Sequence, residues 1–236
     1  MSTIIKEFSR FAHQYDAYNI IQAQVAKRLI EKLPNDCYAS ILDIGCGSGE
    51  VFKNIEKHAI GFSSFSAFDS SPNMLGIHPE TATIKKICGD FNDRSFTERL
   101  DKKEYALVLS SSALQWSSDL DLTLKSIAGL SNTLHAAIFA SGTFKTLHNV
   151  AKLASPIYSA EEVQKSILKY YDVAHFELHT YTLHFDSVRD MFSYIKKSGV
   201  SSGEKRLSYK ETKALMKSYP LDYLEFEVLF VEAKIL

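Results

Sequence analysis

Between Leu42 and Val51 the chain reads LDIGCGSGEV, with Gly45, Gly47 and Gly49 following an acidic residue, Asp43. Glycines this dense behind an apolar run bend the backbone around a ligand, because missing side chains let it lie against peptide groups and the start of the next helix. A dinucleotide fingerprint needs Gly-x-Gly-x-x-Gly, and Glu50 stands where its third glycine would fall. Asp43 points the same way, since its carboxylate would repel a pyrophosphate but suits a ligand carrying positive charge nearby. A second carboxylate, Asp69, follows 26 residues later, the length of one strand-helix-strand step, where it can accept hydrogen bonds from vicinal ribose hydroxyls. Gly89-Asp90-Phe91 pairs a third carboxylate with a ring, a combination that could hold an adenine by its amino group and its face. The stretch SSSALQW, from Ser110 to Trp116, places small hydroxyls and a large ring where a substrate would meet such a cofactor. Together these stretches describe an adenosine-shaped slot.

The elements that must position them follow from hydrophobic spacing. Tyr18, Ile21, Val25, Leu29, Ile30 and Leu33 recur at three and four, predicting a helix over Ala17 to Leu33 that Pro34 stops. Short apolar runs predict strands at Ala39 to Ile44, Phe65 to Asp69, Thr83 to Cys88, Tyr105 to Leu109 and Ala136 to Ala140. Helical spacing lies between them at Glu50 to His58, Pro72 to Leu75 and Leu120 to Leu130. Such alternation implies an α/β fold with a parallel sheet, right-handed crossovers and helices on both faces. Each chemistry-bearing stretch then falls at the carboxyl end of a strand, where open sheets bind ligands. Beyond Ser141 the rhythm loosens: helices are expected at Phe144 to Leu153, Ala160 to Tyr171 and Val188 to Lys197, and strands at His175 to Phe185 and Phe226 to Ile235. No repeat or linker divides the chain. One domain over residues 1–236 is expected, with residues 1–35 as a helical cap and 142–205 as a helical elaboration roofing the substrate site.

Composition narrows the partners. A formal net charge of −1 gives no global basic field for nucleic acid, and no run approaches the roughly 18 apolar residues of a membrane span. The first residues carry no cleavage pattern, so a cytoplasmic protein is expected. Cys37, Cys46 and Cys88 are odd in number and lack C-x-x-C pairing, which suggests reduced, small buried groups rather than disulfides or zinc ligands. The eight histidines include no H-x-H or H-E-x-x-H spacing, so no metal is expected.

D-x-G-C-G-x-G, then D-x-S-P-x-M-L from Asp69 to Leu75, then G-D-F, resembles the class I S-adenosylmethionine-dependent methyltransferases. The resemblance implies a Rossmann-like, seven-stranded, mostly parallel sheet with an antiparallel last strand, and S-adenosyl-L-methionine along the strand ends. Asp43, Gly45, Gly47 and Gly49 would surround its methionine part, Asp69 its ribose, and Asp90 and Phe91 its adenine, with Cys46, Ser70, Met74, Ser110 and Ser111 completing the site. A narrower resemblance rests on FSRFAHQYDAYNIIQ (Phe8 to Gln22), SSSALQW, GTFKTL (Gly142 to Leu147), SAEEV and LHFDSVRDMFSYIKKSG. These stretches are similar to the malonyl-acyl-carrier-protein O-methyltransferases of the biotin pathway. Ser48 departs from that family's usual threonine, Ser111 from a common asparagine, and SNTLH from its Lys-Pro-Gly-Gly turn. The segment from Gly142 to Ser159 is also shorter than usual.

The implied reaction moves a methyl group from a sulfonium to the free carboxylate of a malonyl thioester. That carboxylate, with an ordinary pKa of about 4, is already ionised, so no residue acting as general base is required. Proximity and desolvation should supply the rate. Candidates for holding the acceptor are Arg10 and Tyr15 on the N-terminal segment, with Gln115 and Trp116 shaping the wall. An acidic acyl carrier protein would need a local basic rim, for which Lys196, Lys197, Lys205 and Arg206 are the candidates. Two other readings stay open: a carboxyl methyltransferase of a free small acid resembling trans-aconitate, and a non-catalytic binder of the same cofactor.

Overall fold

The computed structural model describes residues 18–197 and 208–236. Strand β1 (Cys37–Ile44) lies at the centre of the sheet and pairs in parallel with β2 (Gly61–Asp69) and β4 (Leu107–Ser111). Its last four residues are buried, as a strand covered on both faces requires. Outward from β2 lies β3 (Ile84–Cys88), and outward from β4 lies β5 (Thr133–Phe139), both parallel. The last strand, β7 (Tyr223–Lys234), enters antiparallel between β5 and β6 (Val173–His184), giving the order β3-β2-β1-β4-β5-β7-β6. This is the expected seven-stranded, mostly parallel sheet.

The period-2 pleat sends alternate residues to two helical layers. Leu42, Ile44, Phe68 and Val108 join Leu120, Leu124 and Ile127 of α4 (Leu120–Ala128) and Val163 and Ile167 of α6 (Ala160–Ile167). Ile41, Phe65, Leu107 and Leu109 face the other way, toward Ala26 and Ile30 of α1 (Ile20–Glu31) and Val51, Phe52 and Ile55 of α2 (Glu50–Lys57). Short α3 (Pro72–Ile77) follows β2, and α5 (Lys145–Ala151) follows β5. Helix α7 (Val188–Lys197) buries Met191 and Tyr194 beside Phe226 and Val228 of β7.

Three features differ from the sequence reading. Residues 142–205 are not all roof: β6 is the edge of the sheet, and α6 packs against α4 in the core. Helix α8 (Tyr209–Ser218) went unassigned from apolar spacing, although Ser208 and Glu211 form a capping box at its start. Only Cys46 among the three thiols is buried, because Cys37 and Cys88 occupy the exposed outer ends of β1 and β3.

His135 sits in the middle of the sheet on β5, buried, with no partner for Nδ1. Burial, helped by the charge of Lys234, pushes its imidazole down to about 4 from 6.5. The unfolded chain therefore takes up a proton that the folded chain refuses, so stability is full above pH 6.5 and declines as the pH falls toward 4, by up to about 3 kcal/mol. Urea denaturation at about pH 7 and pH 5 should show this decline, and His135→Phe should flatten it. An equal decline in the variant would remove His135 as its source.

Candidate functional site

The glycine turn between β1 and α2 runs through left-handed backbone at Gly45 (φ +76°), Gly47 (φ +53°) and Gly49 (φ +88°). It is pinned to the end of β2: the amides of Gly45 and Cys46 both donate to the Phe68 carbonyl, at 2.8 and 3.1 Å. A Cβ added at Gly45 would stand 2.2 Å from the Cβ of Ala113, so backbone and the loop after β4 touch there. At Gly47 an added Cβ would meet nothing within 4 Å, because that face of the turn is the wall of an open cleft.

Asp69 closes the arrangement. One carboxylate oxygen accepts from the Gly47 amide at 2.9 Å and the other from the Ser71 amide at 2.8 Å. The Ser71 hydroxyl in turn caps α3 by accepting from the Met74 amide. Burial raises the Asp69 carboxyl above its ordinary range, and the backbone amides act against that rise. Asp43 has no such help: it is fully buried and, among the described residues, neither oxygen has a hydrogen-bond partner. Burial, with Asp69 nearby, pushes its carboxyl well up.

The cleft, of about 960 Å³, is lined by Gly45, Cys46, Gly47, Asp69, Ser70, Met74, Asp90, Phe91 and Ser111 among the expected cofactor residues, and by Trp116. The structure brings these together from four strand ends. Asp43 is fully buried and is not among the residues lining the cleft, and Gly49 faces Pro79, 2.6 Å from its notional Cβ. Ser110 is turned inward by the pleat, its hydroxyl donating to the Ile44 carbonyl at 2.9 Å. Asp90 accepts from the amide and side chain of Asn92, whose own oxygen accepts from Ser118, so the loop after β3 is tied to the loop after Trp116.

A second chamber of about 570 Å³ adjoins the first across Gln22, Ser112 and Trp116. Gln115 belongs to this one, its amide donating to the Ser112 carbonyl at 2.7 Å. The sequence reading missed its other walls: Phe139, Thr143, Phe144, His148, Ile157 and Phe226. Only Gln22 carried a signal, a polar residue on the buried face of α1. Among the described residues, neither wall includes a lysine or arginine. Arg10, Tyr15, Lys205 and Arg206 lie outside the described residues, as do the side chains of Lys196 and Lys197 at the end of α7. Among the described residues no helix is long and apolar enough to cross a membrane, and no group of three or more His, Cys, Asp or Glu could hold a metal.

Gly45→Ala is expected to cost roughly 2–4 kcal/mol, because left-handed backbone and overpacking against Ala113 add. Gly47→Ala meets open space and should cost only about 1–2 kcal/mol. Urea denaturation of the two variants checks this, and equal losses would remove the Ala113 contact as a determinant.

On sequence, the family described as "Methyltransferase domain" matches residues 41–132. The malonyl-acyl-carrier-protein O-methyltransferase of Priestia megaterium is 29% identical over 61% of this chain and 54% of its own length. That of Halalkalibacterium halodurans is 28% identical over 65% of this chain and 60% of its own. The chain thus spans little more than half the length of these two relatives. The protein of the same name from Neorickettsia risticii is 24% identical over 96% of this chain and 94% of its own length. Among solved structures, the YcgJ protein of Bacillus subtilis superposes with a TM-score of 0.64 at 12% identity, covering 90% of this chain and 99% of that one. The phosphoethanolamine N-methyltransferase 2 of Haemonchus contortus, solved with S-adenosylhomocysteine, superposes at 0.53 and 15% identity over 91% of this chain and 52% of that one. Residues 41–132, which carry the glycine turn and Asp69, therefore match the methyltransferase-domain family, and the sheet built around them has the fold of solved methyltransferases.

Proposed function

We propose that this chain is an S-adenosyl-L-methionine-dependent O-methyltransferase that esterifies the free carboxylate of a malonyl thioester, early in the pimeloyl stage of biotin synthesis. The observation that carries the cofactor half is Asp43, fully buried at the head of the glycine turn with neither oxygen partnered among the described residues, beside a Gly47 face that is open. A cationic ligand end lying over that turn would favour the ionised form that burial disfavours and that no described residue pairs with. The residues present fit the group: Asp69 retains acceptor capacity for ribose hydroxyls beyond its two amide bonds, and Asp90 and Phe91 stand beside it in the same wall. When bound, the cofactor supplies an electrophilic methyl on a sulfonium. The malonyl half rests on the names of the sequence relatives.

The chain's own part is then positioning and exclusion of water. An ionised carboxylate needs no base, and its nucleophilicity rises as Trp116 and the aromatic second chamber strip its water. Trp116 and Ser112 at the junction of the two chambers would align it toward the first. Arg10 and Tyr15 are the candidates to hold the carboxylate, with residues 1–35 capping the site. An acyl carrier protein would dock along Lys196, Lys197, Lys205 and Arg206.

The test incubates the protein with methyl-labelled S-adenosylmethionine and, in parallel, malonyl-carrier protein, malonyl-coenzyme A and trans-aconitate, following the label by mass spectrometry. Label is expected as a methyl ester on a malonyl thioester. Asp69→Ala should lower kcat/KM about 10–100-fold through lost charge-assisted hydrogen bonds, and Asp69→Asn, which keeps an acceptor for one amide, should lose less. Binding of the cofactor with neither malonyl thioester methylated would overturn the acceptor and leave the cofactor site standing.

A further inference from the structure

The second chamber carries buried polar atoms that no other described residue partners. His148 lines it from α5 with Nδ1 buried and unpartnered, and Oε1 of Gln115 and the hydroxyl of Ser155 in the same wall are buried and unpartnered too. Around them the wall is aromatic, with Phe144 and Phe226 packed edge to face at 5.0 Å. Polar atoms in such a wall are costly unless a ligand satisfies them.

The position of His148 is fixed. Phe144 holds left-handed backbone (φ +57°), an outlier for so bulky a residue, as does Ser112 (φ +60°) across the chamber. Strain of this kind persists where the surroundings impose it, and it gathers at ligand clamps. Here the Phe144 amide donates to the Glu225 carbonyl at 2.8 Å, and the Thr146 hydroxyl donates to the Glu225 carboxylate. These bonds pin the first turn of α5 to β7. The His148 amide, donating to the Phe144 carbonyl at 2.9 Å, carries that anchorage to the ring.

Burial pushes the His148 imidazole down from its ordinary value against the opposing charge of Glu225, which favours a neutral ring near pH 7. A neutral imidazole offers one N–H and no charge. The malonyl acceptor has two kinds of oxygen. Its carboxylate in an apolar wall would call for a cation or several donors, whereas its thioester carbonyl is satisfied by one neutral donor.

We infer that His148 is the specificity-determining residue of the acceptor chamber, donating an imidazole N–H to the thioester carbonyl and so directing the carboxylate end toward Ser112 and Trp116. The choice of ligand rests on the function proposed above. Methyl transfer and this hydrogen bond are separate claims, and the experiment keeps them apart.

Trp116 is the chain's single tryptophan and lines both chambers, so its fluorescence reports acceptor binding without any methyl donor. The probes are malonyl-N-acetylcysteamine and its thioether counterpart, a 3-(alkylthio)propanoate of equal length that keeps the carboxylate and lacks the carbonyl. The wild-type protein should bind the thioester about tenfold more tightly. In His148→Phe that preference should vanish through the thioester alone, and His148→Asn, which keeps a side-chain N–H, should restore part of it. Equal weakening of both probes, no weakening of the thioester, or a wild-type protein that binds neither would overturn the assignment. With labelled methyl donor, His148→Phe should raise KM for the thioester and leave kcat in place, as for an interaction made equally in the ground and transition states. A His148-dependent preference without methyl transfer would sink the proposed reaction and keep the chamber. Methyl transfer without that preference would do the reverse.

Discussion

The amides of Gly45, Cys46 and Gly47 are all held by two consecutive residues of the neighbouring strand. Phe68 accepts from Gly45 and Cys46, and Asp69 accepts from Gly47. Three glycines in left-handed backbone lose more conformational freedom on folding than any other residues would, so the turn exists only while those bonds hold it. They in turn require the pairing of Ile44 with Phe68. A slip of one residue between β1 and β2 would send Asp69 to the opposite face and leave three amides unbonded. The shape of the cleft is therefore a consequence of strand register, and Asp69 is as much a part of the backbone scaffold as of the wall.

The two carboxylates at this edge are treated unequally. Asp69 is answered by the amides of Gly47 and Ser71, while Asp43, fully buried one strand over, is answered by no described residue. An uncompensated buried carboxylate is tolerated where binding supplies what folding does not. The two chambers repeat the contrast on a larger scale. The first includes Asp69, Asp90, Ser70, Ser71, Ser111 and Ser112, and the second includes, among the described residues, no carboxylate but Phe139, Phe144 and Phe226. They meet at Gln22, Ser112 and Trp116, so a group passing between them leaves the carboxylates behind.

The first chamber was legible because its chemistry is local. Asp43 and the glycines, Asp69 with Ser70, and Asp90 with Phe91 each sit together in sequence at the end of an apolar run, and sheet topology alone brings the groups to one edge. Ser110 shows the limit of that reading: in Ser110-Ser111 the residue type gives no preference, and the pleat sends one hydroxyl to the Ile44 carbonyl and the other to the cleft. The second chamber was illegible for the opposite reason. Its wall gathers residues from α1, the loop after β4, the end of β5, α5 and β7, and Phe144, His148 and Phe226 are ordinary members of their own segments. Helix α8 was missed because its apolar face is weak, though its cap was written in Ser208 and Glu211.

The antiparallel entry of β7 between β5 and β6 sets an order on assembly. During synthesis β6 emerges before β7, its one strand neighbour among the described residues, and it cannot join the sheet until β7 has been made. Up to that moment β5 presents an open edge of buried-type residues, Leu134, Ala136 and Ile138 on one face and Ala137 and Phe139 on the other. A nascent chain stalled before Tyr223 would thus expose two unpaired strand edges, the condition under which chains pair with one another instead of with themselves.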